Sequence, residues 1–298
     1  MVLTDSPEAT EPTAEGQIYL DAIADQMAIM LAQGTNVIVD MHSYMRFSPD
    51  SHAGSGDIVS ASDMYNVWSL LSDQFHDIAV NYKDQLMFEV ANEAKQMDTR
   101  DVLDLNNAGI AAIRDAGLEN LVIIEGNYWS GLHPWLRTDN HEILTRDNIV
   151  DPLDNYALAV HQYVDWDGSG TSPIGQDPNG FVNYINFDNF MQWVQDINMK
   201  AMLTEFGSGD EANAMANVNY LLSQIEANAY VEGQGGWLGW TAWVGGSTWA
   251  KDNLNYVGLN PDGTDNALMD GVYEYHLIPL DGAEQPPEQP PEQPPEKP

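Results

Sequence analysis

The 298 residues carry 46 acidic side chains against 10 basic ones, a formal net charge of -36, and a field of that sign repels nucleic acid, whose phosphates need clustered Lys and Arg. With 43% apolar and 10% aromatic residues the chain can bury a large core instead of remaining disordered. Cysteine is absent, which excludes disulfides, thiolate catalysis and Cys-ligated zinc, and neither a run of about 18 apolar residues nor a basic, apolar start marks a membrane span or an export signal.

Apolar periodicity then sets out the elements in order. Tyr19, Ile23, Met27, Met30 and Leu31 recur at helical spacing over 17–33, with Gly34 placed to end the helix. A strand follows at 36–40, a helix at 62–75, a strand at 86–90, a helix at 103–116 and a strand at 121–125. Next come a strand at 156–160, a helix at 187–197, a strand at 201–204, a helix at 212–227 and a strand at 236–241. Apolar strands alternating with helices predict a parallel sheet with helices outside it, and the length favours a TIM (β/α)8-type barrel. Six strands can be counted where closure needs eight, so the chain reads as a barrel apparently lacking its first two strands. The barrel domain is expected over residues 1–280. From 281 to 298 a Glu-Gln-Pro-Pro repeat cannot pack a core and reads as an extended linker, with a further module expected beyond Pro298.

The ends of these strands hold the polar residues. They read Asp40-Met41-His42-Ser43-Tyr44, Ala91-Asn92-Glu93, Glu125-Gly126-Asn127-Tyr128-Trp129, His161-Gln162-Tyr163, Thr204-Glu205-Phe206-Gly207 and Trp240-Thr241-Ala242-Trp243. A parallel barrel gathers its chemistry at the carboxyl ends of its strands. Two Glu at such ends, far apart in sequence, are the layout of a two-carboxylate glycosidase, in which one group protonates the leaving oxygen and the other attacks or stabilises the anomeric carbon. One Glu alone would more simply be a helix cap or a solvated side chain, and one His alone a structural residue.

With these motifs the chain resembles glycoside hydrolase family 5, and within it the endo-β-1,4-glucanases, from Met1 to roughly Leu280. The resemblance implies that Glu93 is the acid/base and Glu205 the nucleophile of a retaining reaction. It implies that Asn92 binds the sugar 2-hydroxyl and that His161 and Tyr163 orient the nucleophile and the protonation network. His42 matches the substrate-binding His after the family's third strand, and Trp243 the aromatic floor beneath the sugar. Trp129, Trp166 and Trp249 lie in or beside strand-end loops and are further candidates for stacking on sugar rings. No cofactor and no metal is implied. Ala94 stands where many members have Pro after the acid/base, and the Arg that the family carries at its second strand has no counterpart here.

Two smaller motifs are read structurally. Asp165-Trp166-Asp167-Gly168-Ser169-Gly170 superficially suggests a calcium loop, but Gln176 stands where a bidentate Glu belongs, so an Asx/Gly turn is expected. Asp210-Glu211 reads as charge at a helix N-terminus. The reading that follows is a secreted endo-β-1,4-glucanase (cellulase) acting on cellulose or a related β-glucan. Its rivals are a mannanase or other β-glycanase, a carbohydrate-binding protein that has lost activity, and an acidic structural surface protein. The module expected after the linker would be a cellulose-binding one. Depletion of Lys and Arg along the whole chain points to high salt, where a Debye length of about 3 Å relieves self-repulsion.

Overall fold

A computed structural model describes residues 3–48, 56–245 and 264–277. The elements are α1 (Ala14–Ala32), β1 (Val37–Asp40), β2 (Arg46–Phe47), β3 (Asp57–Ile58), α2 (Ala61–Asn81), β4 (Leu86–Glu89), α3 (Thr99–Asp115), β5 (Val122–Ile124), α4 (Leu132–Trp135) and α5 (Asn140–Ile143). They continue with β6 (Tyr156–His161), α6 (Pro178–Ile185), α7 (Phe187–Asp196), β7 (Lys200–Glu205), α8 (Ala212–Ala227), β8 (Gly236–Trp240), α9 (Ala267–Gly271) and a 3-10 turn (Tyr273–His276). All six strands expected from the sequence form one sheet in the order β1-β4-β5-β6-β7-β8. β1, β4, β5 and β6 pair in parallel, with Val37 opposite Leu86, Phe88 opposite Val122 and Ile123 opposite Ala157. This is the strand–helix alternation of a β/α barrel, with six strands in the sheet among the described residues. The two-residue strands β2 and β3 form a separate antiparallel pair that no periodicity announced.

The helices begin where side chains can satisfy their first N–H groups. Thr13 Oγ1 accepts from Gly16 N at 2.8 Å, Ser60 and Asp63 form a reciprocal capping box, and Asp98 accepts from Arg100 N at 2.8 Å. Gly34, at φ 87, ends α1 as expected, in a conformation that costs glycine little.

By contact the chain divides into two compact units: Met1–Gln162 with Ile185–Thr204 and Asn228–Gly239, and Tyr163–Tyr184 with Glu205–Ala227 and Trp240–Pro298. In the first, Ile123, Ala159 and Met202 pack on one face of the sheet with Ile38, Met87 and Leu121. On the helical side Trp68 of α2 donates its indole N–H to Val90 O at 2.9 Å. Gly109 lets α3 close onto the same place, since a Cβ there would stand 2.6 Å from Val90 Cγ1. Arg114, near the end of α3, uses all five of its N–H groups. It grips Asp151 through two bonds at 2.9 and 3.0 Å and donates to the carbonyls of Leu118, Asn120 and Asn155.

In the second unit Phe206, Trp240 and Tyr273 form an aromatic cluster with centroids 5.7–6.0 Å apart. The buried Asp165 carboxylate accepts from the backbone N–H of Gly170, Thr171 and Ser172 and from the Ser169 hydroxyl. Its oxygens thus serve the chain's own donors, the turn expected for this loop. Glu211 accepts from Ala214 N at the start of α8, and the backbone N–H groups of Asn213, Ala214 and Gly175 hold its carboxyl below the usual range.

Candidate active site

Both Glu singled out in the sequence stand at carboxyl ends of strands. Glu89 closes β4 and Glu93 follows four residues later, while Glu205 is the last residue of β7. The peptide between β4 and Glu93 is drawn tight. Val90 N donates to Ile123 O at 2.9 Å, Asn92 N donates to Met41 O at 3.0 Å, and Val90, Ala91 and Ala94 are fully buried. At the end of this run Glu93 adopts φ 50. A non-glycine residue in that region carries strain on the order of 1–3 kcal/mol, which persists only where the surroundings impose it.

In the first unit the structure brings together His42, Asn92, Glu93 and His161. His42 Nδ1 donates to Asp40 Oδ2 at 2.9 Å, which leaves Nε2 to accept from Asn92 Nδ2 at 3.4 Å. His161 Nδ1 is hydrogen bonded to Glu93 Oε1 at 3.0 Å and its Nε2 to Thr204 Oγ1 at 3.1 Å. The Glu93 side chain keeps 14% of its surface exposed while the His161 side chain keeps 4%, so the carboxyl can meet a ligand and the imidazole supports it from behind. Lys95 stands 4.3 Å over the Tyr44 ring and 5.9 Å from that of Trp129. Trp129 is 45% exposed in a run of three left-handed residues, Tyr128, Trp129 and Ser130.

In the second unit the Tyr163 hydroxyl donates to Glu205 Oε1 at 2.7 Å, and both side chains are buried. Trp243 N donates to Phe206 O at 2.7 Å, and the Trp243 side chain is half-buried. Trp166 is 72% exposed. Trp249 and the Pro-rich segment after residue 280 lie outside the described residues.

Glu93 also rests on a group of residues to which the sequence reading gave no role. Glu125 Oε2 accepts the backbone N–H of Glu93 at 3.1 Å and the Ser130 hydroxyl, which in turn accepts from Gly126 N at 2.7 Å. Glu89 and Glu125 are both buried, and burial is the largest influence on each. It drives Glu89 well above the usual carboxyl range, with Asp40 and Glu125 adding to the effect. It pushes Glu125 up to about 7 although His161 and Ser130 favour its charged form. One ligand atom from each of Glu89, Glu125 and His161 falls within 4.8 Å of the others, and both His161 nitrogens are already bonded to protein. Glu125 reads as a strand-end residue, as Glu93 does, but nothing local in the sequence assigns it to the Glu93 backbone. Ser130 carries no signal, because its place depends on the left-handed turn.

The family model described as Cellulase (glycosyl hydrolase family 5) matches residues 3–246. Endoglucanase 1 of Robillarda sp. is 29% identical over 269 residues, which are 85% of this chain. The match spans 66% of the Robillarda protein's own length. Among solved structures, the endo-β-1,4-glucanase Xac0029 from Xanthomonas axonopodis pv. citri superposes with a TM-score of 0.76 at 28% identity, covering 90% of this chain and 80% of that one. XacCel5A in complex with cellopentaose gives a TM-score of 0.75 at 26% identity, covering 91% and 82%.

Proposed function

The chain belongs to glycosyl hydrolase family 5, and from that premise we propose that it hydrolyses internal β-1,4-glucosidic bonds of cellulose or related β-glucans by a retaining double displacement. The Glu205 carboxylate attacks the anomeric carbon as the bond to the leaving oxygen breaks, and Glu93 gives that oxygen its proton. Glu93, now ionised, takes a proton from a water molecule whose oxygen attacks the same carbon and releases Glu205. The net reaction consumes one water and uses no cofactor.

The hydrogen bond from Tyr163 to Glu205 carries this division of roles. A phenolic donor favours the ionised form of the group it serves, as a nucleophile requires. Glu93 instead faces the His161 imidazole, a partner suited to a carboxyl that gives up and regains a proton. Asn92 binds the 2-hydroxyl and His42 an adjoining hydroxyl. Trp243, Trp129 and Trp166 offer ring faces to the sugars. The cellopentaose held by XacCel5A supports a glucan chain as the ligand. A polymeric substrate and a net charge of -36 support an extracellular, salt-adapted enzyme.

Release of reducing ends from carboxymethylcellulose, measured beside mannan, xylan and mixed-linkage glucan, tests the substrate. Cleavage of the two glucans is expected, and cleavage of mannan alone would replace the substrate assignment. Roles are tested with aryl β-cellobiosides. Glu205→Ala should lose all turnover, whereas Glu93→Ala should still react with a dinitrophenyl leaving group, which needs little protonation, and should respond to added azide.

A further inference from the structure

Three loops of the first unit meet next to the acid/base position, and they meet around a cation. Tyr44 follows β1, Lys95 stands two residues after Glu93, and Trp129 follows β5. The Lys95 ammonium lies 4.3 Å from the centre of the Tyr44 ring and 5.9 Å from that of Trp129, both within the range in which an aromatic face attracts a cation. The backbone here is pinned on either side. Arg46 donates to the Lys95 carbonyl at 3.2 Å, and the Ala94 carbonyl accepts from Trp129 N at 3.0 Å. Tyr44, Gln96 and Trp129 adopt left-handed conformations at φ 57, 54 and 56, so the surroundings and not local preference set this meeting.

Among the described residues no acid pairs with this ammonium. Other cations of the chain end on acceptors: Lys83 on Glu119, Arg114 on Asp151, Arg146 on Asp154, and Arg46 on the carbonyls of Gly56 and Lys95. Lys95 Nζ has neither a carboxylate nor a hydrogen-bond acceptor among the described residues, although acids outnumber cations by 46 to 10. An ammonium carries three N–H donors, and ring faces hold its charge without supplying the oxygen lone pairs that those donors seek. Lys95 is also half-buried, so part of its hydration is already lost. His42 packs edge-on against Tyr44 with centroids 5.7 Å apart, and its Nε2 meets Asn92 Nδ2 at 3.4 Å, which joins this wall to the pair assigned to sugar hydroxyls. Trp129 leaves 45% of its surface open. A pyranose stacked on an indole projects its equatorial substituents past the ring edge, and a cation 5.9 Å from the ring centre is within reach of them.

We propose that Lys95 is a specificity-determining residue: held between Tyr44 and Trp129, its ammonium receives a carboxylate carried by the glucan, so that stretches of β-1,4-glucan bearing uronate or carboxyalkyl groups are accepted as substrate. The inference rests on the reading of the chain as a β-1,4-glucanase. A net charge of -36 repels an anionic polymer as a whole. Entry of a carboxylated stretch is then decided locally, where a half-buried cation acts at short range with little screening. A lysine that only braced the two rings would not distinguish charged from neutral glucan.

Lys95→Met keeps the apolar stem and removes the charge, whereas Lys95→Arg keeps a cation able to lie on aromatic faces. The measurement is kcat/KM for carboxymethylcellulose beside uncharged hydroxyethylcellulose of similar chain length. The ratio of the two values cancels general damage to the site. Lys95→Met should lower that ratio about three-fold to ten-fold, mainly through KM, and Lys95→Arg should leave it within about two-fold of the wild type. An unchanged ratio in Lys95→Met, even with both activities reduced, overturns the inference and leaves Lys95 as a brace for the rings. A ratio that falls equally in Lys95→Arg overturns it too, because charge is then not what the substrate meets. Should Lys95→Met fail to fold, Lys95→Gln is read by the same criterion. The wild type isolates the underlying reading. If it releases reducing ends from neither polymer, the glucanase reading fails and this inference with it. If it cleaves both and the ratio does not move in the variants, only the present inference falls.

Discussion

Tyr163 donates its phenolic proton to Glu205 Oε1 across 2.7 Å, between two buried side chains. The bond favours an ionised Glu205, and its removal should be felt where that carboxylate is needed. We expect Tyr163→Phe to move the acid limb of kcat/KM to higher pH and to lower kcat by about ten-fold to a thousand-fold, in the range of a lost charge-stabilising hydrogen bond. Pre-steady-state kinetics with dinitrophenyl β-cellobioside would locate the loss. An unshifted acid limb would show that Tyr163 serves another purpose.

Arg114 and Asp151 form a doubly bonded ion pair with side chains 5% and 0% exposed. Burial opposes ionisation of Asp151, but the bonds from Arg114 and from the N–H groups of Leu153 and Asn155 prevail and hold it below the usual carboxylate range. Removing one partner leaves a buried charge, so Arg114→Ala should cost about 3–5 kcal/mol in urea unfolding. Arg114→Lys should recover little, because an ammonium cannot reproduce the planar fork. Asp151 contributes its stability above its unfolded pKa of about 3.9 and loses it as pH falls through its lower folded value.

The Glu89–Glu125 pair has the opposite sign. A carboxyl raised on folding contributes stability that is complete below its unfolded pKa of about 4.3 and is lost as pH rises through its folded value, about 7 for Glu125. Glu125→Gln carries no such penalty. Its melting temperature should therefore gain on the wild type between pH 5 and pH 8, by an amount on the order of a few kcal/mol in stability. A constant difference across that range would contradict the assignment.

Salt should stabilise the whole chain. With 46 carboxyl groups against 10 cations, self-repulsion is strong at low ionic strength, and screening continues to act at short range as the Debye length shrinks towards about 3 Å at 1 M. The melting temperature should rise between 0.1 and 2 M NaCl. A flat or falling profile over that interval would remove the salt-adapted reading.

Much of this architecture was legible in the residues. The run Leu86-Met87-Phe88 before Glu89 and Glu93, and the run Ala201-Met202-Leu203 before Glu205, announce strands that end in acids, and the sheet contains both. The helix expected over 212–227 has those bounds, because the apolar residues of Ala212–Ala227 repeat at one period from end to end. The β2–β3 pair was not legible, since strands of two residues, Arg46–Phe47 and Asp57–Ile58, are too short to display a period. Helix α6 (Pro178–Ile185) was missed where the chain is rich in Gly, Asn and Pro.

The sequence alone determined which stretches are buried and which acids follow them, because burial is written locally, in the spacing of apolar side chains. It also determined the Asp165 turn, whose carboxylate reaches donors four to seven residues ahead. Partner choice over longer range was settled by the tertiary structure. Glu125 serves Glu93 from 32 residues away and His161 reaches it from 68, because β4, β5 and β6 are consecutive neighbours in the sheet. Strand order brings these polar groups into one buried layer, and burial there raises the pKa of an ordinary carboxyl.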